Sequence, residues 1–258
     1  MAVGDGGCAS ERAAVVEANN ADDCRMKKLL TVLLVVSSFA LPCSVCAQDF
    51  EKGMKAYNAN DYAAALKEWR FLAERGHAEA QTRLGAMYAD GRGVIGDYKE
   101  AEAWYRKAAE KGNAEAQFWL GFLYNAGVAV TQDYREAAIW FRKAAEQGHH
   151  DAQLYLGGMH RYGHGVIQDY KEAANWFRKI AEQGNPESQR FFGWVYETGL
   201  GVTQDNVYAH MWYNIAASKG VQQAKQSRDD IVKKMTAADI SKAQELAREC
   251  VKKLYKGC

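Results

Sequence analysis

The sequence predicts an all-α solenoid of 36-residue helix-turn-helix units closed by capping helices, and three observations predict it. Four copies of one unit follow each other from residue 77 without an insertion. They open HAEAQTRLGAMYADGRG, NAEAQFWLGFLYNAGVA, HHDAQLYLGGMHRYGHG and NPESQRFFGWVYETGLG. Gly85, Gly121, Gly157 and Gly193 recur at this interval, as do Asp97, Asp133, Asp169 and Asp205. So do Trp104, Trp140, Trp176 and Trp212, and Gly112, Gly148, Gly184 and Gly220. Proline is nearly absent, with 2 in 258 residues, and apolar spacing is helical nearly throughout. A fixed period of this size means that each unit buries its apolar face against its neighbours.

Before the repeats come two segments of a different kind. Residues 1–25 are acidic and lack periodicity, so translation is expected to begin at Met26, with 1–25 an over-extended start. Residues 26–47, MKKLLTVLLVVSSFALPCSVCA, read as a Sec signal peptide. Lys27 and Lys28 form a basic n-region, Leu29 to Ala40 an apolar h-region, and Val45-Cys46-Ala47 a small-residue cleavage site. Cleavage after Ala47 places a mature chain starting at Gln48 in the periplasm or outside the cell. The apolar run is short for a span, so no stable membrane insertion is expected after cleavage. A retained anchor is the competing reading. Cys8, Cys24, Cys43 and Cys46 all leave with these segments, which removes the CxxC at 43–46 from consideration as a redox site.

Residues 48–76 match the unit imperfectly. Asp61 and Gly76 hold the phase, but Trp69 stands one residue late and the loop is short, as in a degenerate capping repeat. Repeats at 77–112, 113–148, 149–184 and 185–220 follow. In the first, Ala80, Leu84, Met87 and Tyr88 fall on one helical stripe. Asn113 and Asn185 stand where an N-cap is wanted, and Pro186 takes the first helical position. A glycine turn, Gly91-Arg92-Gly93, leads to a second helix opening at Asp97, with Glu100 three residues on as in a capping box. Gly112, Gly148 and Gly184 supply a left-handed stop. The second copy has Ala129 where the second turn glycine belongs, which predicts a distorted loop. The fourth has Tyr208 in place of the capping glutamate. Gly85 and its equivalents sit inside a helix, where Gly costs about 1 kcal/mol against Ala. Four repetitions of that cost predict two helices meeting too closely for a Cβ.

Residues 221–258 read as two C-terminal capping helices, 221–234 and one from Thr236 to about Leu254. Eight residues of continuous helix would hold Cys250 and Cys258 about 12 Å apart, too far for a disulfide. Gly257 offers a break at which the tail could turn back, so a staple between the two is expected.

These residues, in the pattern LGxxYxxGxGVxxDYxxAxxWyrkAAeqG, resemble the Sel1-like repeat, a relative of the tetratricopeptide repeat. The match covers 77–220 fully and 49–76 weakly. The resemblance implies a right-handed α/α superhelix with a concave groove. It also implies a scaffold or adaptor for protein complexes, often exported in bacteria and in some members serving host contact. Cysteine-rich relatives have been called β-lactamases or penicillin binders, which makes a β-lactam-binding protein or hydrolase the alternative. Those carry a cysteine pair within each repeat, and none of the four repeats here contains cysteine.

Function is therefore sought on a surface. With 33 basic and 32 acidic residues there is no field for nucleic acid or acidic lipid. On the first helix of each unit, positions equivalent to 82, 83, 86 and 90 vary and project away from the recurrent stripe. The first copy is polar there, with Thr82, Arg83 and Asp90. The others offer Phe118, Trp119 and Phe122, then Leu154, Tyr155 and Tyr162, then Phe191 and Trp194. Such rings suit a protein or peptide partner bound by anchors in a groove, with the chain itself expected as a monomer. The in-phase tryptophans, with Tyr88, Tyr124 and Tyr196, are expected in the core. No cofactor, metal or catalytic group is expected. Gly91 to Gly96 spells GxGxxG but follows a helix. The glycine turn at Gly163 breaks any helix aligning His160 with His164, and capping accounts for His149. Ser-x-x-Lys, Lys-Thr-Gly and HExxH do not occur.

Overall fold

A computed structural model describes residues 43–258, with side chains from residue 50. The expected over-extended start, the n- and h-regions of the signal segment, Cys8 and Cys24 lie outside the described residues. The chain divides into two units, Met1–Lys52 and Gly53–Cys258, and the second holds all four repeats. The described residues form twelve α-helices, a short 3₁₀ turn and no strand. Helices α1 (Cys43–Asn58) and α2 (Tyr62–Glu74) precede the repeats. The repeats are α3 (Ala78–Asp90) with α4 (Tyr98–Glu110), α5 (Ala114–Ala126) with α6 (Tyr134–Glu146), α7 (His150–Tyr162) with α8 (Tyr170–Glu182), and α9 (Pro186–Thr198) with α10 (Asn206–Ser218). Helix α11 (Gln222–Ile231), the turn Val232–Lys234 and α12 (Ala237–Lys252) follow. From α3 to α10 each helix packs on its neighbours in sequence, and α12 returns against α10 to cover the end of the stack.

Caps set the boundaries. Each second helix opens on an Asp whose carboxylate accepts from two backbone N–H groups, as Asp97 does from Lys99 at 2.8 Å and Glu100 at 3.3 Å. The reciprocal half of the expected capping box is not made. The Asp97 N–H donates instead to Tyr88 O at 2.9 Å, tying the turn back to α3, and the other copies repeat this bond. Losing the glutamate at Tyr208 therefore costs the fourth repeat no cap. A complete capping box stands at Thr236 and Asp239. First helices are capped by His77, Asn113, His149 and Asn185.

The helical glycines have the expected packing reason. A Cβ on Gly121 would lie 2.9 Å from Phe141 Cδ1 and 3.2 Å from Ala137 O. Tyr105, Phe177 and Tyr213 press in the same way on Gly85, Gly157 and Gly193. The ring in contact belongs to the residue after each in-phase tryptophan, which the period alone did not single out. Trp69 stands in that same phase, and a Cβ on Gly53 would overlap its indole. Trp69 is thus in register with the contact ring, not late.

The expected core needs revision at its edge. Trp140, Trp176 and Trp212 are buried, but Trp104 is half-exposed, with Lys107 Nζ 4.0 Å from its ring centre. Tyr88 and Tyr124 are half-buried because their hydroxyls accept from arginines of the preceding unit, Arg70 at 2.8 Å and Arg106 at 2.7 Å. Tyr196 is half-buried as well. The second turn is not distorted. Ala129 adopts φ +65° where Gly93, Gly165 and Gly201 have +73°, +70° and +85°, so the backbone keeps its path with alanine in the left-handed region.

Buried glutamines join successive units, a role the sequence reading overlooked. Gln81, Gln117, Gln153 and Gln189 donate Nε2 to Ala73 O, Ala109 O, Ala145 O and Ala181 O at 2.9–3.1 Å. Each is a second donor to a carbonyl in the last turn of the helix before, which also accepts from the N–H of the glycine just past that helix, Gly76, Gly112, Gly148 or Gly184. At the C-terminus, Leu254, Tyr255 and Gly257 all have positive φ. The chain reverses there, earlier than Gly257 alone predicts, and brings Cys258 beside Cys250 with Cα atoms 5.6 Å apart.

Gly121→Leu is expected to lower the melting temperature far more than a substitution at exposed Ile139, since overpacking costs about 1–3 kcal/mol. Equal melting temperatures in thermal denaturation would refute the close contact.

Candidate functional site

The site is built on the outward side of the first helices. Positions 83, 119, 155 and 191 carry Arg, Trp, Tyr and Phe, and positions 86, 122, 158 and 194, one turn further, carry Ala, Phe, Gly and Trp. These two rows lie off the glycine side of their own helix, but the first of them meets the contact rings of the preceding unit. Trp119 stacks on Tyr105 with ring centres 6.2 Å apart, Tyr155 on Phe141 at 4.9 Å, and Phe191 packs on Phe177 at 4.4 Å.

Trp119, Phe122, Tyr155, Phe191 and Trp194 are half-buried, and Tyr162 is 58% exposed. They gather in two groups. Trp119 and Phe122 lie 5.8 Å apart between ring centres, and Phe122 and Tyr155 6.1 Å. Phe191 and Trp194 lie 5.1 Å apart. Phe118 does not belong to the open face. It is 7% exposed, stacked 4.6 Å from His149 and packed against Phe141 and Tyr155. Its ring lies between neighbouring first helices, against Tyr155 of the next, whereas Leu154 at the same place one repeat on is 42% exposed. Thr82 at the equivalent place is buried too, its hydroxyl donating to Ala78 O at 3.0 Å. Arg83 is exposed and joins neither ring group.

Between the groups lies a cleft of about 520 Å³ lined by Leu154, Tyr155, Gly158, Arg161, Tyr162 and Phe191. It exists because Gly158 stands where the flanking repeats carry Phe122 and Trp194. A Cβ on Gly158 would meet nothing within 4 Å. Gly158 and Arg161 were missed at the sequence level. Gly158 adjoins the recurrent Gly157 and reads as part of it; only a column-by-column comparison with Phe122 and Trp194 exposes the vacancy.

One polar network braces this face. Glu115 accepts from Trp119 Nε1 at 2.6 Å and from His149 Nε2 at 3.0 Å, while His149 Nδ1 accepts from the Ala152 N–H at 3.3 Å. That cap leaves the neutral imidazole proton on Nε2, directed at the carboxylate. The hydrogen bond from His149, followed by that from Trp119, holds the Glu115 carboxyl below the usual carboxylate range. His160 and His164 have separate surroundings. The first is buried with Nε2 3.1 Å from the Arg142 guanidinium, and the second is exposed and stacked on Tyr134 and Tyr162. Among the described residues no group of three or more His, Cys, Asp or Glu is placed to hold a metal ion.

A depressed folded-state pKa gives stability that is present above the unfolded value and lost as pH falls through the folded one. Glu115→Gln is therefore expected to lower the melting temperature near neutral pH, and the gap from the wild type to narrow as pH falls below the usual carboxylate range. A gap unchanged by acid would reject the network's ionic character.

The sequence profile of the Sel1 repeat matches residues 78–113, 114–149, 150–185 and 186–221. The crystal structure of a Sel1 repeat protein from Oxalobacter formigenes is 35% identical, with a TM-score of 0.68 over 70% of this chain and 74% of that one. A protective antigen present in uropathogenic Escherichia coli strains is 28% identical with a TM-score of 0.51; the match takes in 81% of this chain but 55% of that one. No curated protein matches the chain. Nothing in these relatives supports the hydrolase alternative. Sel1-repeat proteins are generally protein-interaction scaffolds. With four matched repeats over more than half its length and a relative at 35% identity, the chain belongs to the Sel1 repeat family.

Proposed function

We propose that the chain is an exported scaffold or adaptor that holds a protein or peptide partner on the first-helix face of repeats two to four. The observation that carries this is the pair of aromatic groups, Trp119, Phe122 and Tyr155 with Phe191 and Trp194, which stay partly exposed although three of them pack on the second-helix rings of the preceding unit. Large, stiff rings on a prearranged surface bury much area at little entropic cost, as anchors at protein interfaces do. The first repeat offers only Arg83 and Ala86 in these rows, so the anchors begin with the second.

Export is supported by the signal-like segment at 26–47, and a bridged Cys250–Cys258 pair suits an oxidising compartment. Mass spectrometry of the protein from the cell envelope is expected to find Gln48 as its N-terminus. An intact segment 26–47 on the isolated protein would favour the retained anchor instead.

The partner is tested by crosslinking in the native envelope. The wild type is expected to capture a specific protein that Trp119→Ala, Phe122→Ala, Trp194→Ala, verified as folded by circular dichroism, loses at least tenfold, since hot-spot truncations cost about 2 kcal/mol or more each. Equal capture by both proteins would move the binding surface to the second helices or the terminal caps.

A further inference from the structure

We infer that the cleft over Gly158 is a subsite for the C-terminal aromatic residue of the partner, its ring taking the vacant place in the row and its α-carboxylate pairing with Arg161. This rests on the scaffold reading above and assigns its chemistry.

Three observations converge on that ligand. The vacancy is ring-shaped, because Phe122 and Trp194 fill the same position in the repeats on either side and a guest ring at Gly158 would continue their row. Glycine inside a helix costs about 1 kcal/mol against alanine, and a Cβ at 158 would touch nothing, so packing within the chain gives no reason for it.

The cleft is also cationic. Its lining includes Arg161 and His164 and no carboxylate. The Arg161 guanidinium lies 4.2 Å from the Trp194 ring centre, 4.9 Å from Tyr162 and 5.3 Å from Phe191, and among the described residues it pairs with no carboxylate. Glu197, at the matching position one repeat on, is engaged by the Tyr213 hydroxyl at 2.8 Å and Lys234 Nζ at 3.3 Å. A guanidinium stacked by its face keeps its N–H edge for a bidentate carboxylate, and partial desolvation strengthens the pair.

Spacing then selects a chain end. Gly158 and Arg161 are one turn apart on α7, so their β positions are about 5–6 Å apart. The Arg161 guanidinium lies 5.3 Å from the ring centre of Phe191, which itself lines the cleft, so one residue can place a ring in the vacancy and its own carboxylate on the arginine.

Titration calorimetry on the full chain tests this with four probes: a peptide ending in phenylalanine with a free carboxylate, the same peptide amidated, the same peptide extended by two alanines, and phenylacetate. The free-carboxylate peptide is expected to bind about tenfold or more tighter than the other two peptides. Arg161→Gln is expected to erase that difference without weakening the amide, and Gly158→Trp to abolish binding of every peptide. Gly158→Ala, which fills no more than a methyl, serves as the folded control. Should Gly158→Trp fail to fold, the Arg161→Gln comparison decides alone. Equal affinity of acid and amide, no measurable binding of the acid, or phenylacetate binding as tightly as the peptide would each overturn the subsite. Undiminished crosslinking of the envelope partner by folded Gly158→Trp would overturn it too, while leaving the scaffold reading in place.

Discussion

Everything in the array depends on one contact made once per unit: an aromatic ring of the second helix lying on the bare backbone of a glycine in the first. Gly53 with Trp69, Gly85 with Tyr105, Gly121 with Phe141, Gly157 with Phe177 and Gly193 with Tyr213 form a continuous series. Each contact draws the two helices closer than any larger residue would permit, and close-packed interiors tolerate little variation in such a distance. The contact fixes both the spacing within a unit and the rotation of the first helix about its axis. Burial of Tyr105 and Tyr213 raises their phenolic pKa values well above the ordinary one, so both rings stay neutral.

The contact rings also carry the next unit: Tyr105, Phe141 and Phe177 pack against Trp119, Tyr155 and Phe191 of the following first helix, so the candidate surface is the outer edge of the same stack. Polar joints tie the units together as well. Gln81, Gln117, Gln153 and Gln189 bond backwards to the preceding helix, and Arg70 and Arg106 reach forward to tyrosines of the next. The joints use positions the repeat keeps, which leaves the 83 and 86 columns free to differ between copies. A surface that varies over a frame that does not is how a repeat protein acquires a distinct partner without altering its architecture.

The period, the caps and the helical glycines made the fold legible before any coordinates, because each is a local rule written repeatedly. The contact ring was not singled out, since the columns at 104 and 105 are both aromatic and only three-dimensional proximity tells which one meets the glycine. Phe118 was placed on the open face because its column is not uniform: Phe118 is buried against His149 and Tyr155, whereas Leu154 in the same column is exposed. Gly158 escaped notice because a vacancy has no side chain to draw attention, and Arg161 because its partners are rings from the following repeat.

Ala129 bears on how the array comes apart. A stack in which units touch only their neighbours opens where its least stable member lies. A left-handed alanine costs about 1–2 kcal/mol, and no other repeat carries that cost at this turn. That strained link falls in the unit that also displays Trp119 and Phe122. A guest spanning repeats two to four would splint that link, so that occupancy and the mechanical integrity of the rod rise and fall together.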